Sequence, residues 1–466
     1  MGYGQRQFDM RLINKVLLFT AAMAVSSSLK AQGGSGQNFT QSPYSNFGVG
    51  EWTGMNFTQA GANMHTFSGA YSHSLTNPAT LGNLRYAAFN MGLAYRGGDV
   101  QTEAGERQTF NGGGMQYLSL GYPTWTYDKR IKLEDSAGKK TYKSTPYGIL
   151  SAISLSPLTT VGYRYAFENN EPFLNRTTHT GSGGLNNLQW SHAGRLGKNW
   201  NLGYSVGRIF GQLRDNSLFT VPDSFDLGAI QDTRSVIVKG MQQQVGFLLQ
   251  GTLDSNTHSL GASYTWYSNV NAERSRLTRS YDLSSSGGLI LRDTILSSVD
   301  QNGTVTIPAS FGVGYQFQYR RKWSLALDYR YSDWGGFQAF FDPATKYAVR
   351  QDYGLTFTLN PSDEKARNER KMPVPVRLGG VWSETQQVFT SGGQEVQIGE
   401  FKAFVGFGIP MIRRYYDNSV ITSVLHVQAQ YLQRGSLQTG LAQERYFQLN
   451  LGFQLGDKWF QRRKFD

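Results

Sequence analysis

The last part of the chain alternates strictly between apolar residues and polar or small residues. Phe447, Leu449, Leu451, Phe453 and Leu455 are separated by Gln, Asn or Gly at every intervening position. Successive side chains of a β-strand point to opposite faces, so a period of two produces one apolar face and one polar face. The alternation therefore predicts a β-strand, and it recurs in earlier runs at 311–319, 323–331 and 421–431.

Two all-β folds produce such alternation, the soluble β-sandwich and the transmembrane β-barrel. The polar faces of these runs carry mainly Gly, Gln, Asn and Ser rather than Lys and Glu, which suits a lumen better than a surface in bulk water. Tyr and Trp lie near the ends of the apolar faces, as in the aromatic girdles of outer-membrane barrels. Strands of about ten residues, when tilted, span a bilayer. We therefore predict an all-β fold, a transmembrane antiparallel β-barrel.

The number of strands follows from a count of the alternating runs. Thirteen strand-like segments lie between residues 87 and 456. Single-chain bacterial barrels have an even number of strands, so we predict fourteen, with the missing strand within 147–167, which contains Pro157, or at 351–359. Short periplasmic turns and long extracellular loops are typical of such barrels. The predicted turns are 196–199, 254–257 and 320–322, and the predicted loops are 212–234, 271–306 and 336–372.

Residues 1–31 have the organisation of a secretory signal peptide. Arg6, Arg11 and Lys15 form a basic region, an apolar run from Val16 to Val25 follows, and small residues precede a cleavage site after Ala31. An apolar run of this length is too short for a membrane anchor. We expect the mature chain to be exported to the outer membrane of a Gram-negative cell.

Composition narrows the classes of function. The 466 residues include no Cys, which excludes disulfide frameworks, thiolate metal sites and cysteine nucleophiles. The chain has no apolar run of 18 residues, and its mean hydropathy is −0.42, so a helical membrane bundle is excluded. The formal net charge is +12. In an exported chain we assign this charge to loops and anionic lipids, with no nucleic acid as partner.

Catalytic and metal-binding motifs are nearly absent. The run Gly203-Tyr204-Ser205-Val206-Gly207 satisfies G-x-S-x-G, but it continues a period-two strand, whereas a nucleophile elbow needs a sharp strand-to-helix turn. None of the six His residues stands at a metal-ligand spacing from another. We therefore expect no enzyme, no metal and no cofactor.

Several short motifs resemble the FadL family of outer-membrane channels. Asn77-Pro78-Ala79-Thr80-Leu81, after a small-residue run that begins at Ala60-Gly61, is similar to the end of the family's N-terminal hatch. A paired-strand signature of that family is similar to the run 307–312 together with residues 323, 328–329 and 332–334. The opening run 42–50 and the closing run 456–466 resemble the Bacteroidota branch. The resemblance implies a hatch at 32–85, a barrel at 86–457 and a basic tail at 458–466.

The resemblance implies passive uptake of hydrophobic compounds such as long-chain fatty acids. In the family the hatch shifts and the ligand leaves sideways through a kinked strand. By that likeness Asn77, Pro78, Ala79, Thr80 and Leu81 form the hatch. Pro157, which cannot donate a ladder hydrogen bond, opens a lateral gate or else merely ends a strand. A ligand path would be lined by aromatic residues that could equally just pack the hatch: Phe39, Tyr44, Phe47, Trp52 and Phe57.

A second interpretation makes the chain an interaction protein. Some FadL-like barrels of the Bacteroidota are subunits of protein secretion or outer-membrane assembly complexes, and the long loops and basic tail would then be docking surfaces. The partners expected are outer-membrane lipids, a hydrophobic small molecule and other envelope proteins. A continuous apolar tunnel would favour transport, and a lumen sealed by side chains would favour a scaffold.

Overall fold

The computed structural model describes residues 42–53, 59–103, 105–134, 140–169, 175–221, 228–283, 288–342, 345–360, 374–414 and 420–457. The predicted signal peptide, Phe39, Phe57 and the basic tail lie outside these residues. Within them, no helix has the length and apolar character needed to cross a membrane.

Strands make up most of the described chain, and four short 3-10 helices join them. The helices are η1 (Pro43–Asn46), η2 (Pro78–Asn83), η3 (Trp334–Gly336) and η4 (Leu437–Thr439). The strands are β1 (Glu51–Trp52), β2 (Ala87–Gln101), β3 (Arg107–Glu134), β4 (Lys140–Pro157), β5 (Thr159–Asn169), β6 (Asn175–Leu196), β7 (Trp200–Thr220), β8 (Ala229–Leu253), β9 (Asn256–Leu283), β10 (Leu289–Thr306), β11 (Ser310–Tyr319), β12 (Trp323–Asp333), β13 (Gln338–Ala339), β14 (Lys346–Tyr347), β15 (Val349–Leu359), β16 (Val376–Ser391), β17 (Gln394–Arg414), β18 (Val420–Arg434) and β19 (Gln443–Asp457).

The sheet closes on itself as an antiparallel barrel. β19 pairs with β2 along its whole length, from Gln443 opposite Gln101 to Asp457 opposite Ala87. β4 and β5 together form one position of the wall, and β10 and β11 together form another, so the closed wall has fourteen strands, as predicted. The strand missing from the sequence count is β15, which contains the run 351–359. Closure thus joins the last wall strand to the first, as in a barrel rather than an open sheet.

The two faces of the wall differ as the alternation predicts. On β19 the apolar side chains point outward, with Phe447 71% exposed and Leu449 47% exposed, whereas the alternate side chain Asn450 is 2% exposed. Large exposed apolar side chains occur likewise on β4, β6, β7, β8, β12, β15, β16 and β17. The outer surface is therefore an apolar belt around a polar lumen, as in a transmembrane barrel.

The turns identify the two ends of the barrel. Asp254 and Ser255 join β8 to β9 with φ of 48° and 72°, and Arg320 and Arg321 help join β11 to β12 with φ of 42° and 61°. Positive φ at both central residues matches the twist of tight β-hairpins. These turns lie at the end where β2 begins and β19 ends. Short turns mark the periplasmic end of such barrels.

Several predicted boundaries were wrong. The stretches 212–234 and 271–306 are mostly strand, because β7, β8, β9 and β10 extend far beyond the apolar belt. Above the belt both faces of a strand meet water, so the alternation disappears while backbone pairing continues. The stretch 336–372 contains β15 rather than only a loop. β3 also runs on to Glu134 and pairs with β4 from Lys140, which projects a hairpin beyond the periplasmic end.

Candidate functional site

The chain before the first long strand lies inside the barrel. We call residues 42–53 and 59–86 the luminal segment. It hydrogen-bonds to strands on all sides of the wall, which a segment can do only from within a closed barrel. These bonds join Ser45 to Gly162 of β5, Ala62 to Thr356 of β15, His65 to Asp328 of β12 and Asn77 to Phe247 of β8.

The extracellular part of the luminal segment is fixed by η1. Pro43 stands at the start of this helix, where its fixed φ suits a helical turn. The Ser45 hydroxyl donates to the Gly162 carbonyl at 2.9 Å and accepts from the Gly162 N–H at 3.0 Å. The Gln387 side chain donates to the Tyr44 carbonyl at 2.6 Å, and the Gly48 N–H donates to the Asp342 carboxylate at 2.7 Å.

Glu51 joins the luminal segment to a buried ion network. One oxygen of its carboxylate accepts from the Arg434 guanidinium at 2.8 Å, and the other lies 3.5 Å from the Arg96 guanidinium. Arg434 also donates through Nε to Glu400 at 2.7 Å and lies 3.5 Å from Glu444. The side chains of Arg96 and Arg434 are 3% and 6% exposed. Removing one partner from such a buried pair commonly costs about 3–5 kcal/mol, so this contact holds the segment firmly.

The periplasmic part of the luminal segment is anchored at His65. Its Nδ1 lies 2.6 Å from Oδ1 of Asp328, which also accepts from the backbone N–H groups of Met64 and His65. The ring packs directly on Gly312, where a Cβ would come within 2.1 Å of Nε2. β11 therefore needs glycine at that position.

The predicted hatch residues Asn77, Pro78, Ala79, Thr80 and Leu81 begin η2 and are all buried. The Asn77 side chain accepts from the Ala79 N–H at 3.1 Å and donates to the His65 carbonyl at 2.7 Å and the Phe247 carbonyl at 3.0 Å. This is an N-cap that also ties η2 to β8.

Gly203 of the G-x-S-x-G run contacts the same turn. A Cβ at Gly203 would lie 2.3 Å from the Ala79 nitrogen, so the glycine serves close packing. Ser205 lies within β7 and donates to Ser191 at 2.8 Å. Among the residues that the structure describes, no group of three or more His, Asp or Glu could hold a metal ion.

The wall is interrupted between β3 and β5. β3 pairs with β4 only from Leu118 opposite Leu155 downward, and β5 pairs with β6 on one side and β1 on the other. In the described chain no strand pairs with the 107–117 part of β3 on the side away from β2. Tyr95 and Leu449, which stand at the height of Gly113 on the neighbouring strands, are 43% and 47% exposed. The gap therefore starts within the apolar belt.

Pro157 lies at the lower corner of this gap. It ends β4 opposite Asn186, and β5 resumes at Thr159 after the single residue Leu158. The wall strand is thus interrupted at this residue. On the facing strand, Gly183 and Gly184 have φ of 120° and 138°, and a Cβ at Gly184 would lie 2.3 Å from the Thr159 carbonyl. The close approach of the kinked backbone requires glycine there.

The luminal segment covers the kinked strand from inside. β1 pairs antiparallel with β5, Glu51 opposite Thr160 and Trp52 opposite Thr159. The Thr53 hydroxyl lies 2.6 Å from the Pro157 carbonyl and 3.0 Å from the Leu158 carbonyl, and the Thr53 N–H donates to the latter at 3.1 Å. These contacts satisfy backbone groups that a straight wall strand would pair with its neighbour.

Two cavities lie beside the gap. The upper one, of about 930 Å³, is lined by Tyr44 and Phe47 together with Phe110, Tyr165, Phe167 and Phe389. The inner one, of about 150 Å³, is lined by Trp52, Pro157 and a set of Gln and Asn side chains from the wall. The structure thus brings three of the five predicted ligand-path residues to two cavities, and Phe39 and Phe57 lie outside the residues it describes.

Sequence reasoning missed Glu51, its arginine partners and the part of β3 that borders the gap. Glu51 is the only acidic residue between 42 and 86, and this isolation in a neutral stretch was the available signal. For the gap the signal was Gly112-Gly113-Gly114 in a wall strand, since three glycines together weaken a strand and leave no side chains to block a passage.

Comparisons with known proteins place the molecule among outer-membrane barrels. A family model described as BamG matches residues 12–131 and 144–466. The solved structure of the CymD monoaromatic hydrocarbon channel matches with a TM-score of 0.50 at 12% identity, covering 89% of this chain and 100% of that one. A search of curated proteins finds no match.

Two further solved structures have slightly lower scores. The P. putida toluene transporter TodX has 14% identity, coverage of 86% and 97%, and a TM-score of 0.49. A Pseudomonas aeruginosa FadL homologue has 13% identity, coverage of 87% and 97%, and a TM-score of 0.47. The resemblance to FadL-like barrels is confirmed at the level of the fold.

Proposed function

The chain belongs to the BamG family, and we propose that this member is an outer-membrane channel for passive uptake of hydrophobic compounds, such as long-chain fatty acids. The observation that carries the proposal is the interrupted wall between β3 and β5, flanked by the aromatic cavity of about 930 Å³. CymD, which shares the fold, is a monoaromatic hydrocarbon channel. The function needs no catalytic residue and no cofactor.

The proposed route begins in the aromatic cavity. An apolar chain gains about 0.8 kcal/mol per methylene on leaving water, so Tyr44, Phe47 and their neighbours capture it from outside. The lumen below is polar and is filled by the luminal segment. A hydrophobic molecule therefore leaves sideways through the gap into the bilayer, past Pro157, rather than crossing the whole lumen.

We assign the hatch role to Asn77, Pro78, Ala79, Thr80 and Leu81, and the gate role to Pro157. Residues 1–31 act as a cleaved signal peptide in this proposal. The runs 42–50 and 456–466 support assignment to the Bacteroidota branch of FadL-like proteins.

The test is uptake by liposomes that contain the purified barrel. A fluorescent fatty acid added outside should enter the bilayer of barrel-containing liposomes faster than that of empty ones. A charged, hydrophilic dye of similar size should not pass. Equal fatty-acid rates with and without the folded barrel would contradict the proposal.

The second candidate function is a non-transporting subunit of a secretion or outer-membrane assembly complex. The observation that favours it is the lumen, where a segment held by the Glu51 ion network narrows the space beside Pro157 to a cavity of about 150 Å³. Family membership under the name BamG is consistent with partners among envelope proteins. Native mass spectrometry of the barrel extracted in mild detergent distinguishes the two functions. A channel should be a monomer with a bound lipid, whereas a subunit should be bound to partner proteins in a fixed ratio.

A further inference from the structure

The hairpin turn between β11 and β12 carries three consecutive basic residues at the periplasmic end of the barrel. Arg320, Arg321 and Lys322 are all exposed. Within the described chain, none of these three side chains forms an ion pair with a carboxylate, whereas the exposed Arg107, for example, is paired with Asp99. The turn therefore presents three positive charges together.

The backbone of this turn disfavours arginine. Arg320 and Arg321 have φ of 42° and 61°, in the left-handed region. The Lys322 N–H donates to the Tyr319 carbonyl at 2.8 Å, which closes a tight turn around the two arginines. Asn-Gly and Asp-Gly favour this conformation, whereas other residues with a Cβ adopt it at a cost. Hairpin geometry therefore does not account for the two arginines, whereas a negatively charged ligand does.

A cluster of aromatic rings lies on the outer face of the wall beside the turn. Tyr319 stacks on Trp323, with ring centroids 5.6 Å apart and an interplanar angle of 26°. Trp323 also lies 5.5 Å from Phe317 and 6.0 Å from Phe357. The Arg320 guanidinium lies 5.4 Å from the centre of the Tyr319 ring. Aromatic rings are enriched where a membrane protein crosses the lipid headgroups, so the turn lies at the level of the headgroups.

An apolar track continues from this cluster into the belt. It consists of outward leucines of β12 and β15 that are each at least 37% exposed: Leu325, Leu327, Leu355 and Leu359. Leu327 lies opposite Leu355, and Trp323 lies opposite Leu359. From Trp323 to Leu327 the strand rises about 13 Å, and one leaflet contains about 15 Å of hydrocarbon. The track therefore fits an acyl chain of the periplasmic leaflet.

We propose that the turn and the track bind one anionic phospholipid of the periplasmic leaflet, with its phosphate held by Arg320 and Arg321 and an acyl chain along the leucines. Guanidinium groups match the oxygens of a phosphate. A zwitterionic headgroup would bring an ammonium group close to Lys322, whereas a glycerol headgroup does not. The site lies on the far side of the ring from the gap, so the inference goes beyond the proposed function and does not depend on it.

The first experiment measures the lipid selectivity of the purified full-length barrel. The barrel in mild detergent is mixed with equimolar phosphatidylglycerol and phosphatidylethanolamine of the same chain length, and native mass spectrometry counts the lipids retained. One phosphatidylglycerol should be retained per barrel, with a preference of at least about tenfold. Glycerol 3-phosphate, which has the phosphate but no acyl chains, should not displace it. Equal retention of the two lipids, or displacement by the soluble phosphate, would overturn the proposal.

The second experiment replaces the arginines with the residues that the turn itself favours. Arg320→Asn combined with Arg321→Gly removes two charges and should reduce the preference for phosphatidylglycerol to less than about twofold. The same variant should unfold at a higher denaturant concentration in lipid-free detergent, because Asn-Gly suits positive φ at both positions. If the arginines served only the hairpin, the variant would be less stable and its lipid preference would be unchanged.

Ser255→Gly is the matched control in the neighbouring turn between β8 and β9. It gives an Asp-Gly turn at φ of 48° and 72° and leaves every charge in place. The control should gain stability in the same way and keep the tenfold preference for phosphatidylglycerol. Loss of the preference in Ser255→Gly, or its persistence in the arginine variant, would mean that the arginines do not select the lipid, and the proposal would fail.

Discussion

At the scale of single residues, the luminal segment is held by a few polar side chains that each make several contacts. Asn77 caps η2 and also bonds to two carbonyls, one in the segment and one in β8. Asn77 stabilises the segment because it satisfies all of these buried groups at once. A buried polar group without its partner costs more free energy than the hydrogen bond itself contributes. The motif around Asn77 was recognisable in the sequence, but its contact with β8 was not, because the two are far apart in the chain.

Asn77→Ala should loosen the turn of η2. The variant leaves the Ala79 N–H and two buried carbonyls without their partner, which costs about 1–3 kcal/mol. We expect faster entry of a small hydrophilic dye into liposomes containing the variant. Asn302→Ala, at an exposed position of β10, is the control and should behave as the parent chain. Unchanged dye entry in a folded Asn77→Ala barrel would exclude the hatch role.

His73 should make the docking of the segment depend on pH. Burial lowers the pKa of His73 to about 4, and its Nε2 lies 2.8 Å from the Ser119 hydroxyl. A released His73 titrates near its ordinary value of about 6.5. Between these values the released state binds a proton that the docked state does not, so docking weakens as the pH falls from about 6.5 to about 4 and is unaffected above that range.

The pH dependence can be measured with Ala60→Cys, whose position is 2% exposed. Its labelling rate at pH 5 relative to pH 7.5 should be higher in the parent chain than in a His73→Gln background. Because the two backgrounds are compared at the same pH, the pH dependence of the maleimide labelling reaction itself cancels. The same ratio in both backgrounds would assign the pH response to another group.

At the scale of elements, the alternation located the wall strands because successive side chains of each strand face the lipid and the lumen in turn. The alternation did not identify strand segments beyond the apolar belt, where neither face of a strand meets lipid. Beyond the belt β7 to β10 keep their pairing without alternation, and β3 and β4 extend as a hairpin at the other end. The interruption of the wall at Pro157 has a local cause, because proline cannot donate a ladder hydrogen bond. The pairing of β5 with β1 could not be predicted, because it joins segments more than a hundred residues apart.

Thr53→Val should destabilise the cover over the kinked strand. Valine has nearly the same shape but cannot donate to the Pro157 and Leu158 carbonyls. We expect uptake of the fluorescent fatty acid by liposomes to become several-fold faster, because the gap opens at lower cost. Thr304→Val, at an exposed position of β10, is the matched control. A slower rate or no change in Thr53→Val would mean that the cover does not limit passage.

At the scale of the whole molecule, the number of wall strands could be predicted from the even-number rule for bacterial barrels. The contents of the lumen could not, because the packing of the luminal segment depends on side chains from many wall strands at once. Three glycines illustrate this dependence, because each lies directly against the luminal segment: Gly203, Gly261 and Gly312. In the sequence they could not be distinguished from other small residues that face the lumen.

The position of the belt can be tested with charge. Leu451 lies in the middle of the outward apolar run of β19, and Leu455 lies near its periplasmic end. Leu451→Arg should lower the free energy of unfolding in bilayers by about 2–4 kcal/mol, whereas Leu455→Arg should lower it by about 0–1 kcal/mol. Denaturant titration in lipid vesicles measures both. Equal costs at the two depths would contradict the assignment of the belt.

The seam between β19 and β2 has a consequence for how the molecule is made. β19, the last of the described strands, bonds to the first strand of the wall, so the ring cannot close until β19 has emerged. Contacts so distant in sequence form slowly. The luminal segment precedes β2 in the chain, so it is synthesised before the strand that closes the ring around it.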